Sequence, residues 1–163
     1  MNFEDICRKV IEVTRETGNF IRNEKGNFSR EKVEVKGLND FVSYVDKTSE
    51  KMLVEALEQI LPEAGFIAEE GTSNRKGETY NWIIDPLDGT TNFIHGLYPF
   101  AISIALQQND ELVMGVIYEI GHDEMFYAWK GSKAYLNDTI RSLTYQRQTL
   151  SLTQALLTLR HPH

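Results

Sequence analysis

The chain has 163 residues, 41% of them hydrophobic and 25% charged, with a formal net charge of −7. That length allows one domain or part of a larger one, and it lets about 70% of the unfolded surface be buried. The acidic balance excludes non-specific binding to nucleic acid or anionic membrane, and no stretch is apolar enough to span a bilayer.

In chain order, Met1-Asn2-Phe3-Glu4-Asp5 is acidic where a signal peptide would be basic, and Cys7 is the only cysteine. A cytoplasmic protein without intrachain disulfides is expected. Phe3 to Arg22 reads as an amphipathic helix, with Phe3, Ile6, Val10, Val13, Thr17 and Phe20 on one face. Cys7 lies beside that face as a small buried hydrophobe, and Gly18 weakens the last turn. Lys25 to Lys36 is polar and mixed in charge, so a loop or mobile hairpin is expected. A second helix is predicted from near Asp46 to Leu61-Pro62, with Met52, Leu53, Ala56, Leu57 and Ile60 as its buried stripe. Gly65 to Ala68 is a short strand ending on Glu69-Glu70. A polar loop leads to the strand Tyr80 to Ile84. Strand-like runs follow at Phe100 to Leu106, Leu112 to Tyr118 and Met125 to Trp129, separated by turn residues. Their spacing predicts antiparallel hairpins, hence an α+β fold with two N-terminal helices packed on a mostly antiparallel sheet.

The chemistry concentrates in Asp85-Pro86-Leu87-Asp88-Gly89-Thr90-Thr91-Asn92-Phe93, which follows Trp82-Ile83-Ile84. Hard cations such as Mg²⁺ take carboxylates, a carbonyl and waters. Asp85 can bridge two ions, Asp88 can bind one, and the Leu87 carbonyl can add a ligand. The plain alternative is an Asp-Pro turn with Asp88 capping a helix. With Gly89-Thr90-Thr91 following, the site reading wins. Gly89 and Thr90 put unpaired amides at a helix start, where phosphate binds; an N-cap role for Thr90 is an equal alternative. Glu69-Glu70 taken alone reads as a solvated turn and gains weight as the further carboxylate of a two-metal site. Asp46 either caps the second helix or helps a Thr hydroxyl orient water. Lys36 reads as a solvated loop residue. The four histidines have no zinc-like spacing.

These residues carry a resemblance. Trp82 to Phe93, then His95-Gly96 and Pro99-Phe100, resemble the signature of the inositol monophosphatase family. Asp46 before Glu50-Lys51-Met52-Leu53, and Phe66-Ile67-Ala68-Glu69-Glu70, match in order and spacing. The resemblance runs from near the N-terminus to about Asp138. It implies a Mg²⁺-dependent, Li⁺-sensitive phosphomonoesterase, usually homodimeric, with an αβαβα layered fold of which this chain is the first half. It implies Glu69 as ligand of the activating metal, and Asp85 as the carboxylate bridging the two main ions. The Leu87 carbonyl is implied as a further ligand of the first ion, and Asp88 as a ligand of the second that also faces substrate. Gly89 and Thr90 are implied as phosphate-binding amides, Thr90 with Asp46 as the pair positioning the attacking water, and Lys36 as a contact from a loop over the site. Glu70 is the weaker member of its pair. The substrate implied is inositol monophosphate or a similar sugar phosphate. Relatives using nucleoside bisphosphate or fructose bisphosphate are close rivals, and a fragment that binds metal without turnover is the rival of a different class.

The chain also departs from the family. Ala68 stands where the family usually has glycine. The family's second half, with a Trp-Asp segment whose Asp completes the second metal site, has no counterpart. After Asp138 there is no Asp, Glu or Gly up to His163. Residues 1–138 are therefore expected to form the family-like domain and 139–163 an irregular or helical tail from a truncated or frame-shifted product. The chain is expected to keep the first metal site and to bind the second ion poorly. Reading the coding region past the last codon tests this: a displaced segment encoding the missing half is expected, and its absence would count against truncation.

Overall fold

A computed structural model describes residues 1–27, 35–71, 73, 75–141, 144–145 and 148–149. Helix α1 spans Phe3–Asn27. Asn2 caps it: its Oδ1 accepts the N–H groups of Glu4 at 3.0 Å and Asp5 at 3.3 Å, which have no partner within the helix. Glu4 and Asp5 in the first turn and Lys25 in the last complement the helix dipole. The buried stripe is Ile6, Cys7, Val10, Thr14, Thr17, Gly18 and Ile21, with Phe3, Val13 and Phe20 at its margin. Cys7 therefore sits inside the stripe, and burial pushes its thiol up to about 12, so it is an inert hydrophobe as expected.

Helix α2 spans Val35–Ile60 and stops before Pro62, whose ring disfavours helix in the preceding residue. Its start corrects the sequence expectation. Leu38, Phe41, Val42 and Val45 continue the helical spacing upstream, and Phe41, Val42 and Val45 pack into or against the core. The expected loop from Lys25 to Lys36 shrinks accordingly, since Lys25 belongs to α1 and Lys36 to the first turn of α2.

The strands are β1 (Gly65–Ala68), β2 (Tyr80–Asp88), β3 (Ala101–Gln108), β4 (Glu111–Glu119), β5 (Glu124–Trp129), β6 (Ala134–Leu136) and β7 (Thr139–Arg141). They form one seven-stranded sheet in sequence order. Only β1 and β2 run parallel; the other pairs are antiparallel. From β3 to β7 chain order equals strand order because short turns join the antiparallel strands, with Asn109, Asp123, Asn137 and Asp138 at positive φ. Adjacent Asn137 and Asp138 make the tight connection of the β6–β7 hairpin. That hairpin crosses residue 138, where the sequence reading drew its boundary. Beyond it, β8 (Thr144–Tyr145) pairs with β9 (Gln148–Thr149). Where the segment after 138 is described, it is therefore neither irregular nor helical throughout. Thr, Ile and Tyr suit a pleated ribbon better than a helix. The remainder of that expectation lies outside the described residues.

The helices cover one face of the sheet, α1 over β4 and β5 and α2 over β2. Alternation along the strands sends Trp82, Ile84, Ile102, Ile104, Leu106, Met114, Val116 and Tyr118 to that side, and all are buried. Helix α1 comes close to the sheet at Gly18, where an added Cβ would clash with Cε1 of Tyr118. Tyr118 cannot retreat: its hydroxyl donates to Asp123 Oδ1 at 2.6 Å and accepts from Arg22 at 3.0 Å. Gly18→Ala should therefore destabilise by about 1–3 kcal/mol from overpacking, against the roughly 1 kcal/mol that alanine gains in helix propensity. Urea unfolding checks the sign.

Candidate active site

The parallel pairing of β1 with β2 determines where the carboxylates meet. Ala68 lies opposite Ile84, so Glu69, just past the end of β1, lies beside Asp85 of β2. The Glu69 amide donates to the Ile84 carbonyl at 3.3 Å, holding the end of β1 against β2. Past Asp85 the β2–β3 register shifts before it resumes at Asp88. Pro86 has no N–H to give a ladder, so a bulge forms there. The Leu87 side chain is 2% exposed and anchors the bulge in the core.

Gly89 then turns the chain with φ 86° and ψ 37°. That left-handed conformation suits glycine, and an added Cβ would also lie 3.0 Å from the Pro99 carbonyl oxygen. Helix α3 (Thr90–His95) starts there without a side-chain cap, leaving its first amides available to an anion. Phe93 pins α3 to the body of the molecule, stacking on Phe41 of α2 and meeting Phe100 edge-on. Asn92 Nδ2 donates to the Pro99 carbonyl at 2.8 Å.

Asp46 reaches this end of the sheet from the middle of α2 and so is not the cap of that helix. Burial first, then the charges of Glu70, Asp85, Glu69 and Glu50, push its carboxyl from 3.8 up to about 7. Its Oδ1 is buried without a hydrogen-bond partner among the described residues. The expected bond from Thr90 is therefore not made to that atom. The side chain of Lys36 lies outside the described residues.

Glu50 was not singled out from sequence. It is fully buried and its Oε2 accepts the Glu70 amide at 2.6 Å. Only its long-range contact marks it, because Glu one turn after Asp on a helix is ordinary.

Among the described residues, no three acidic, histidine or cysteine side chains converge closely enough to hold a metal ion as they stand. The donor set nonetheless fits a hard cation. It consists of oxygens only, it gathers like charges that raise one another's cost, and it includes a buried carboxylate oxygen lacking a partner. A cation among them would relieve the repulsion that now favours the neutral form of Asp46.

The chain matches the model of the inositol monophosphatase family over residues 4–162, beyond the point where the sequence reading ended the family likeness. A fructose-1,6-bisphosphatase/inositol-1-monophosphatase of Aquifex aeolicus is 37% identical over 134 residues, covering 80% of this chain and 51% of its own length. A putative Nus factor SuhB of Neisseria meningitidis is 41% identical over 130 residues, covering 79% of this chain and 50% of its own. Among solved structures, the inositol monophosphatase of Anabaena (Nostoc) sp. PCC 7120 superposes with a TM-score of 0.75 at 28% identity, over 90% of this chain and 52% of its own. The chain thus spans about half the length of the curated relatives it matches.

The raised pKa of Asp46 has a stability consequence. Between 3.8 and about 7 the folded state holds a proton that the unfolded state has lost, so stability falls as pH rises through that window. In chelator, Asp46→Asn should flatten this fall and melt above the parent at pH 8. Melting curves at several pH values check it, and equal slopes in the two proteins would contradict it.

Proposed function

The chain belongs to the inositol monophosphatase family, and from that premise we propose that it carries the cation- and phosphate-binding half of a phosphomonoesterase site. The substrate class we propose is inositol monophosphate or a similar sugar phosphate. The observation that carries the reading is Asp46: its Oδ1 is buried without a partner among the described residues, and the charges of Glu70, Asp85, Glu69 and Glu50 bear on its carboxyl.

Glu69, Asp85, the Leu87 carbonyl and Asp88 would hold the cation, for which oxygen ligands point to Mg²⁺. When bound, such ions neutralise phosphate charge and acidify water. The remaining work belongs to the chain. The Gly89 turn aims the uncapped amides of Gly89 and Thr90 at the phosphate oxygens, where fixed dipoles stabilise charge that develops during transfer. Asp46 and the Thr90 hydroxyl orient the attacking water. Asp46 would accept the proton of that water at its Oδ1, which is buried without a partner among the described residues. Asp88 faces both cation and substrate. No covalent phosphoenzyme is needed, because phosphoryl transfer to activated water asks the protein mainly for positioning and charge.

A second reading, a cation-binding fragment without turnover, is favoured by the chain's span of about half of its relatives. Among relatives, the name Nus factor SuhB also appears where others are named phosphatases. Release of inorganic phosphate from inositol monophosphate separates the two. The phosphatase reading expects Mg²⁺-dependent release that falls to background in Asp85→Asn. Release that is absent at millimolar Mg²⁺ would favour the fragment, and release unchanged in Asp85→Asn would contradict the site proposed.

A further inference from the structure

Glu50 is a carboxylate with 0% exposure, a costly place for charge unless it is put to use. It follows Asp46 by one turn of α2, so the two acids lie on the same helix face. Its Oε2 accepts the N–H of Glu70 at 2.6 Å, a short charge-assisted bond. On the other side, the Glu69 amide donates to Ile84 of β2 at 3.3 Å. Two successive amides at the exit of β1 are thus tied in different directions, one to the sheet and one to α2. The backbone of Glu69 is fixed between them, beside Asp85.

We propose that Glu50 is a positioning residue for the cation site: through the Glu70 amide it holds the β1 exit so that Glu69 is presented to Asp85. This rests on the cation reading of that site. Glu50 makes no contact with substrate or cation; it acts by denying the turn its freedom. The geometry also explains why a charged side chain occupies a fully buried helix position. A neutral apolar residue there would leave the Glu70 amide without its acceptor and the turn untethered.

Two substitutions separate the tether from the charge. Glu50→Gln keeps an acceptor oxygen at the same reach, whereas Glu50→Leu removes it at similar volume. Mn²⁺ titration by calorimetry is run on the parent chain, both variants and Asp85→Asn, with circular dichroism confirming the folded fraction of each. Amide hydrogen exchange is read at Glu70. We expect Glu50→Gln to bind Mn²⁺ within about threefold of the parent and Glu50→Leu to bind at least about tenfold more weakly, the usual scale for loss of an outer partner. Exchange at Glu70 should speed up in Glu50→Leu alone, while β3 and β4 stay protected. A folded Glu50→Leu that binds like the parent would overturn the proposal. So would equal weakening in both variants, which would assign the effect to charge. If the parent and Asp85→Asn bind alike, the cation reading fails, and unchanged Glu70 exchange in Glu50→Leu would overturn the tether as well.

Discussion

The parallel pairing of β1 and β2 is the constraint on which the rest of this molecule depends. Every other strand connection in the main sheet is antiparallel, and antiparallel neighbours end at opposite edges. One parallel pair points both strands to the same edge, and there Glu69, just past the end of β1, lies beside Asp85 of β2. Helix α2 crosses against β2 and adds Asp46 and Glu50 from above. The proline bulge then carries the chain from Asp85 to Asp88 and into the Gly89 turn. A single topological choice therefore gathers the carboxylates, and the local chemistry of Pro86 and Gly89 points the following amides at the same place.

That gathering costs folding free energy. Like charges held together and partly desolvated disfavour their own ionisation, and Asp46 shows the result in its raised pKa. The stability comes from elsewhere. The buried face of the sheet, with Trp82, Ile104 and Tyr118 beneath α1 and α2, provides an apolar core on which a strained acidic edge can be carried. Phe93 between Phe41 and Phe100 plays the same part locally, fixing the short helix α3 that could not stand alone.

Much of this was legible in the sequence. The Asp85-to-Phe93 run declared its strand, turn and helix through Pro86 and Gly89, whose backbone demands are local. The helix-then-hairpin order predicted the α+β layer, and the structure and its solved relatives share that architecture. What failed had non-local causes. Asp46 followed by Lys47-Thr48-Ser49-Glu50 looks like a helix start, yet Phe41, Val42 and Val45 extend the helix upstream because they pack on the core. Glu50 is indistinguishable from a solvated helix residue until β1 is seen to end against it. The strand exit at Glu69-Glu70 reads as a polar turn until parallel pairing sets it beside Asp85.

The chain matches about half of its relatives' length. The edge described above is nevertheless assembled from elements within residues 1–108, so the cation-binding claim can be tested on this chain alone. The most direct measurement is anomalous diffraction from crystals of the chain grown with saturating Mn²⁺. The account predicts a peak bounded by the carboxylates of Glu69 and Asp85 and the carbonyl of Leu87. A peak elsewhere, or none at that edge, would contradict it.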